Sequence, residues 1–276
     1  MNAYEAGRAA RASLSGTHKV ARSLAEHTTH RIVLRRRLPA PFEGVKIYAS
    51  SEGGLRYLLP SLSGVDPTLL RLVSDVVRPG HNVWDIGANL GLFSFAAAAA
   101  AGPRGYVLAV EPDATLVELL RRTAASSRRH AEVEVMPVAV ADELAVGRFN
   151  IARRNRSTSH LDGFGTTQTG GVRSTQLVPT VSLNWLAANF RRPDVIKIDV
   201  EGAEMKVLEG GADILRNAPV LICEVAGRSA AAVAELLISY GYTLYDGALP
   251  VGERVPVTAA PATTLAVHNS HPAART

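Results

Sequence analysis

The chain has 276 residues, 47% of them hydrophobic and 20% charged, which places it with ordinary globular proteins and excludes fibrous and wholly disordered classes. Its net charge of +5 comes from arginine, since Lys19, Lys46, Lys197 and Lys206 are the lysines. The arginine clusters are scattered and only 5% of residues are aromatic, so nucleic acid is disfavoured as a partner. Cys223 is the one cysteine, which rules out an intramolecular disulfide and a Cys-rich zinc site. No apolar run approaches the ~20 residues of a membrane-crossing helix, and no signal-peptide core is visible near the start. The expected compartment is the cytoplasm, with no membrane partner; a homo-oligomer is left open.

Residues 1–40 are rich in Ala, Arg and His and read as one or two helices or a mobile arm. Residues 41–78 lead into the core. Within them, Val45 to Leu59 reads as two short strands around the turn Ser51-Glu52-Gly53-Gly54. Asp66 then caps a helix with Pro67 in its first turn, and Pro79-Gly80 ends that run.

From residue 79 onward, strands alternate with helices. Strands are expected at Asn82–Ile86, Tyr106–Val110, Val133–Val140, Val195–Val200, Val220–Val225, Tyr242–Tyr245 and Thr263–Val267. Helices are expected at Phe93–Ala101, Thr115–Ser126, Ser182–Phe190, Glu204–Leu215 and Ala230–Tyr240. Residues 142–180 read as irregular, with one strand at Arg148–Ala152. Short, continuously apolar strands separated by helices specify an α/β fold. The expected architecture is a doubly wound, mostly parallel seven-stranded sheet with an N-terminal extension.

The first chemical signal is Val83-Trp84-Asp85-Ile86-Gly87-Ala88-Asn89-Leu90-Gly91, an apolar strand running into a Gly-x-x-x-Gly turn before a helix. It is neither the Gly-x-Gly-x-x-Gly dinucleotide fingerprint nor a phosphate loop, which disfavours a nicotinamide oxidoreductase. Gly87 allows a close backbone approach, and Asp85 is placed to accept hydrogen bonds from a ligand amino group or a water. The second strand ends at Glu111-Pro112. In a doubly wound sheet an acid there lies beside the first loop and can accept both hydroxyls of a ribose. At this point the chain resembles the class I methyltransferases. The resemblance implies that the loop holds the methionine half of S-adenosylmethionine and that Glu111 holds its ribose.

The fourth strand carries a second signal. Asp194-Val195-Ile196-Lys197-Ile198-Asp199-Val200-Glu201-Gly202-Ala203-Glu204 gathers four ionisable groups at the carboxyl edge of the sheet, where open α/β sheets bind ligands. On a two-residue period Lys197, Asp199 and Glu201 point the same way and should perturb one another's titration. This segment, its continuation through Glu224 and the upstream glycine loop resemble the FkbM family of methyltransferases over about residues 79–246, which on that reading make up the core of a methyltransferase domain over residues 79–276.

The family resemblance implies O-methylation of a small-molecule hydroxyl, on a sugar, glycoside or polyketide-type product. It also implies that Ala139, Val140, Ala141 and Asp142 border the adenine; with Asp85, Gly87, Ala88, Asn89, Gly91, Glu111, Pro112 and Asp199 they make up the expected cofactor site. Ala203 departs from relatives that carry a polar residue such as His there. Asp199 is the first choice for the base that removes the hydroxyl proton, with Glu224 and His160 as rivals. A Mg²⁺ ion held by Asp199, Glu201 and Glu224 is an alternative that is not favoured. A binding module without chemistry and an RNA methyltransferase are the competing functions. The segment Arg153–Gly171, with Asn155, Ser157, Thr158 and Ser159, reads as a lid or acceptor loop.

Overall fold

The computed structural model describes residues 32–126, 130–153, 156–164, 171–217 and 219–270. Most of the expected arm, and Asn155, therefore lie outside the described residues. The arm's last part is a strand, β1 (Val33–Arg37), paired antiparallel with β2 (Lys46–Ser50). The hairpin expected around Ser51–Gly54 does not form: its first strand pairs upstream with β1, and its second strand is absent. The segment after β2 turns twice as 3₁₀-helix, at Ser51–Gly53 and Leu55–Leu58, because Gly54 at φ 124° leaves the extended region. Helix α1 (Pro67–Val76) starts as expected, with the Leu69 N–H donating to Asp66 Oδ1 at 2.8 Å.

The alternating region follows as β3 (Asn82–Ile86), α2 (Leu92–Ala101), β4 (Tyr106–Val110), α3 (Ala114–Ser126) and β5 (Glu132–Met136). The run expected as one strand to Val140 breaks at Pro137. A separate β6 (Ala139–Ala141) leaves the main sheet and joins β7 (Ala145–Ala152), β8 (His160–Leu161) and β9 (Val172–Ser182). What reads as an irregular insert is therefore largely a four-stranded sheet in the order β6-β9-β7-β8. It buries Phe149, Ile151 and Val178 on one face and leaves Leu144, Val146 and Leu177 in solvent on the other.

The chain continues through α4 (Leu183–Asn189), capped by Ser182 as expected, and β10 (Val195–Ile198). The expected helix 204–215 is two short ones, α5 (Glu204–Glu209) and α6 (Ala212–Arg216). The break falls where the chain grazes β6: a Cβ on Gly210 would sit 2.5 Å from the Ala141 carbonyl. The chain closes with β11 (Val220–Glu224), α7 (Ala230–Ser239), β12 (Tyr242–Asp246), the two-residue β13 (Pro256–Val257) and β14 (Thr263–His268).

The main sheet has the order β13-β12-β14-β11-β10-β3-β4-β5. Its central strands are parallel, and β14 runs antiparallel between β11 and β12. The seven expected strands are joined by β13 at one edge. Strand parity assigns the two faces. Val83, Val107, Val195 and Ile222 join the core that includes α1 and α2 residues, while Trp84, Leu108, Ile196 and Leu221 join the opposite core with residues of α4 and α7. With both faces covered, the strands place their reactive ends at one carboxyl edge. No described helix is long and apolar enough to cross a membrane.

Candidate active site

Parallel register aligns Lys197 of β10 with Asp85 of β3 on one side and Ile222 of β11 on the other. Asp199 and Glu224 follow at the ends of β10 and β11 on the same face. The Lys197 ammonium is 3% exposed. It donates to the Gly87 carbonyl at 2.8 Å and lies 3.2 Å from Asp85 Oδ1 and 3.3 Å from Asp199 Oδ2. Burial alone would strip its proton, but Asp85, Asp199 and Glu224 outweigh that and hold it more basic than an ordinary lysine. This lysine is a brace.

Asp85 itself is fully buried and takes a 2.5 Å hydrogen bond from the Ser94 hydroxyl. The direct ligand contact expected of Asp85 is therefore corrected: its side chain lies beneath the loop and acts through Lys197. At Gly87, where a ligand was expected to come close to the backbone, the close approach observed is that of the protein itself. At φ 80° a Cβ would stand 1.9 Å from the Asp199 carbonyl, so the β3 and β10 ends touch backbone to backbone. Gly87→Ala should destabilise the fold by about 2–5 kcal/mol, the sum of a left-handed alanine and a forced separation of the strand ends. A urea titration of the two proteins reads this, and an unchanged midpoint would contradict the packing.

Glu111, 5% exposed, ties the first two loops together. Its Oε2 accepts the Asn89 N–H and its Oε1 the Asp113 N–H, both at 2.9 Å. Burial, only partly offset by those two bonds, raises its pKa to about 7. Asn89 sits at φ 51°, a conformation asparagine tolerates better than most residues, and its Oδ1 is buried without a partner. Asp113 is gripped at 2.6 Å by Arg156, which also pairs with Glu52. One guanidinium thus fastens the insert to both the N-terminal segment and the loop after β4.

These groups surround two connected hollows. The first spans about 580 Å³ of space between protein atoms, open solvent included. Gly87, Asn89, Glu111, Pro112, Ala139, Val140, Phe149, Arg156, Asp199 and Glu201 are among its walls. The second, about 1450 Å³ on the same measure, is bounded by Tyr57, Asp66, Ala88, Asn89, Phe93, Lys197, Asp199, Glu201 and Glu224. Asn89, Ser157, Asp199 and Glu201 border both.

The structure thus brings together Gly87, Ala88, Asn89, Glu111, Pro112, Ala139, Asp199 and Glu224 from the sequence reading. It leaves out three others besides Asp85. Gly91 is packed at the start of α2, where a Cβ would collide with Phe95 and Leu120. Asp142 faces away in a 2.8 Å surface pair with Lys206, which lowers its pKa. His160 is buried in the small sheet with Nδ1 against the Thr158 carbonyl, and borders neither hollow. Tyr57 and Asp66 border the site without having been expected there, because the elements carrying them reach it only through tertiary packing, while Arg156, Ser157 and Ser159 border the first hollow from the segment read as a lid or acceptor loop.

Glu201 holds a left-handed backbone at φ 53°, and burial and the nearby Asp199 and Glu224 raise its pKa to about 8. Glu224 is raised to about 7, by burial and then by Asp199. Among the described residues no three His, Cys, Asp or Glu side chains converge as a metal cage.

A methyltransferase FkbM domain matches residues 85–244, more than half of the chain. The chain belongs to the FkbM methyltransferase family. The matched span runs from the buried aspartate of β3 to β12 and so contains every wall of the first hollow. No curated protein sequence matches this FkbM methyltransferase.

Among solved structures it is similar to precorrin-6y C5,15-methyltransferase from Geobacter metallireducens. That match has 12% identity and a TM-score of 0.41, covering 72% of this chain and 84% of that one. It is also similar to a SAM-dependent methyltransferase from Aquifex aeolicus, at 12% identity and TM-score 0.41, covering 75% and 95%. A third is magnesium protoporphyrin IX methyltransferase from Synechocystis PCC 6803, solved with bound SAM, at 15% identity and TM-score 0.41, covering 74% and 77%.

Proposed function

We propose that this enzyme transfers the methyl group of S-adenosylmethionine to a hydroxyl oxygen of a small molecule. The observation that carries the reading is the junction of two hollows at Asn89, Asp199 and Glu201, one with apolar walls around the buried Glu111 carboxylate and the other lined by carboxylates. The first hollow fits the donor chemically. Glu111 offers a buried carboxylate to a ribose diol, the apolar walls Ala139, Val140 and Phe149 suit an adenine, and the unpartnered Asn89 Oδ1 awaits a donor.

When bound, S-adenosylmethionine supplies an electrophilic methyl group on sulfur. The protein's task is to hold the acceptor oxygen in line, exclude water and take the hydroxyl proton. As the C–O bond forms and the C–S bond breaks, that proton passes to a carboxylate and S-adenosylhomocysteine leaves. Asp199 is tied to the Lys197 ammonium, which fixes its position and makes it an orienting group. Glu224 makes no ion pair or side-chain hydrogen bond among the described residues and titrates near neutrality, so it takes the role of base.

The test is transfer of a labelled methyl group from S-adenosylmethionine to a panel of sugars, glycosides and hydroxylated polyketides. Label in an ether oxygen is expected, and label confined to nitrogen, carbon or RNA would refute the oxygen-acceptor reading.

The same reading predicts a pH dependence. Both ribose hydroxyls can donate to Glu111 at once only when it is ionised, so a proton on that carboxylate competes with the ligand. S-adenosylhomocysteine affinity should be constant above about pH 8 and fall up to about tenfold per unit below pH 7. Calorimetry across that range checks it, with Glu111→Gln expected to flatten the profile.

A further inference from the structure

The second hollow has a one-sided chemistry. Asp66, Asp199, Glu201 and Glu224 lie on its wall, and Asp199, Glu201 and Glu224 continue into an adjoining hollow that Glu204 also borders. The cations nearby do not balance them. Lys197 is committed to Gly87, Asp85 and Asp199, while Arg56 and Arg228 are exposed residues of the rims. Asp66 spends one oxygen capping α1. Glu201 and Glu224 have no ion pair or side-chain hydrogen bond among the described residues.

One further group lacks the partner it needs. Glu204 is 2% exposed, and its Oε1 accepts the Gly202 N–H while Oε2 is buried with no partner at all. An unsatisfied buried carboxylate oxygen costs several times what an ordinary hydrogen bond contributes. The occupant that satisfies such a wall offers hydrogen-bond donors and positive charge.

We infer that the methyl acceptor is an amino alcohol, such as an amino sugar, whose ammonium group is held by Asp66 and Glu201 while its hydroxyl faces Glu224, Asp199 and the donor. This rests on the proposed methyl transfer and names its substrate class. A neutral polyol would leave most of these acceptors facing lone pairs. A divalent cation needs a convergent cage that the described carboxylates do not form. The proton held by Glu201 in the free protein also fits, since an arriving ammonium would displace it.

The experiment titrates the protein, saturated with S-adenosylhomocysteine, with sugar pairs that differ in one amino group: glucosamine against glucose, galactosamine against galactose, and each N-acetyl form. The amines should bind at least about tenfold more tightly than either neutral partner. Asp66→Asn, which keeps the helix cap, should remove most of that preference while S-adenosylhomocysteine still binds. Absence of an amine preference with the nucleoside bound overturns the inference, as does Mg²⁺ binding to this wall in place of the amines. Failure to bind S-adenosylhomocysteine would instead refute the methyl-transfer reading.

Discussion

Replacing Lys197 with methionine should cost about 3–5 kcal/mol of stability and abolish nucleoside binding. The reason is geometric. Asp85 is fully shielded from water, and the lysine ammonium 3.2 Å away is the charge that compensates it. Removing one partner of a buried pair leaves the other as an uncompensated ion, which is far more costly than losing the pair itself. The same ammonium anchors the Gly87 carbonyl, so the loop that borders the first hollow loses its tether. Urea unfolding reads the stability change. Adding Asp85→Asn to Lys197→Met should recover part of the loss, because the buried charge goes with its partner. A single-variant change below about 1 kcal/mol would show that the triad is not the brace described here.

The second large effect is chemical. Glu224→Gln should lower kcat by about 10²–10⁴-fold while leaving S-adenosylhomocysteine affinity nearly unchanged. Glutamine keeps the shape and one acceptor but cannot take the proton. In the native enzyme kcat should rise with pH through an apparent pKa near 7, the value to which burial and Asp199 push this carboxyl. Because the carboxyls interact, that apparent value belongs to the cluster. The variant should lose this ascending limb. Asp199→Asn, by contrast, should raise KM and lower kcat without abolishing the limb. If the limb survives in Glu224→Gln and disappears in Asp199→Asn, the two roles are exchanged.

Much of this architecture is legible in the amino-acid order for a physical reason. Strands β3, β4, β10 and β11 are buried on both faces, so each is a short, mainly apolar run of the kind a covered sheet accommodates. Their ends then announce the site, because Gly87, Glu111, Asp199 and Glu224 each interrupt apolar sequence where the sheet edge is expected. The four-stranded sheet is far less visible. Its outward face is Arg, Ser, Thr and exposed aliphatic, so the two-residue alternation of β7 and β9 is blurred. β1 is hidden similarly by its three arginines.

Within the site, the misses share one cause: the partner lies far away in sequence. Asp85 stands one residue inside its strand, but only the register with β10, more than a hundred residues on, shows it facing Lys197 and not a ligand. Asp142 is claimed by Lys206 and His160 by its own small sheet, contacts that no local pattern announces. Tyr57 and Asp66 reach the acceptor hollow because the segment from Ser51 to Val76 folds back over the sheet edge. Asp66 is readable from sequence as a helix cap, but its place on the wall of the second hollow is not.

The most direct measurement is a calorimetric titration of the native protein and of Glu111→Ala with S-adenosylhomocysteine. One molecule should bind per chain, and the variant should bind about 10–100-fold more weakly, the loss of charge-assisted hydrogen bonds to a sugar diol. A folded native protein that takes up no nucleoside, or a variant that binds as well as the native chain, would contradict the account.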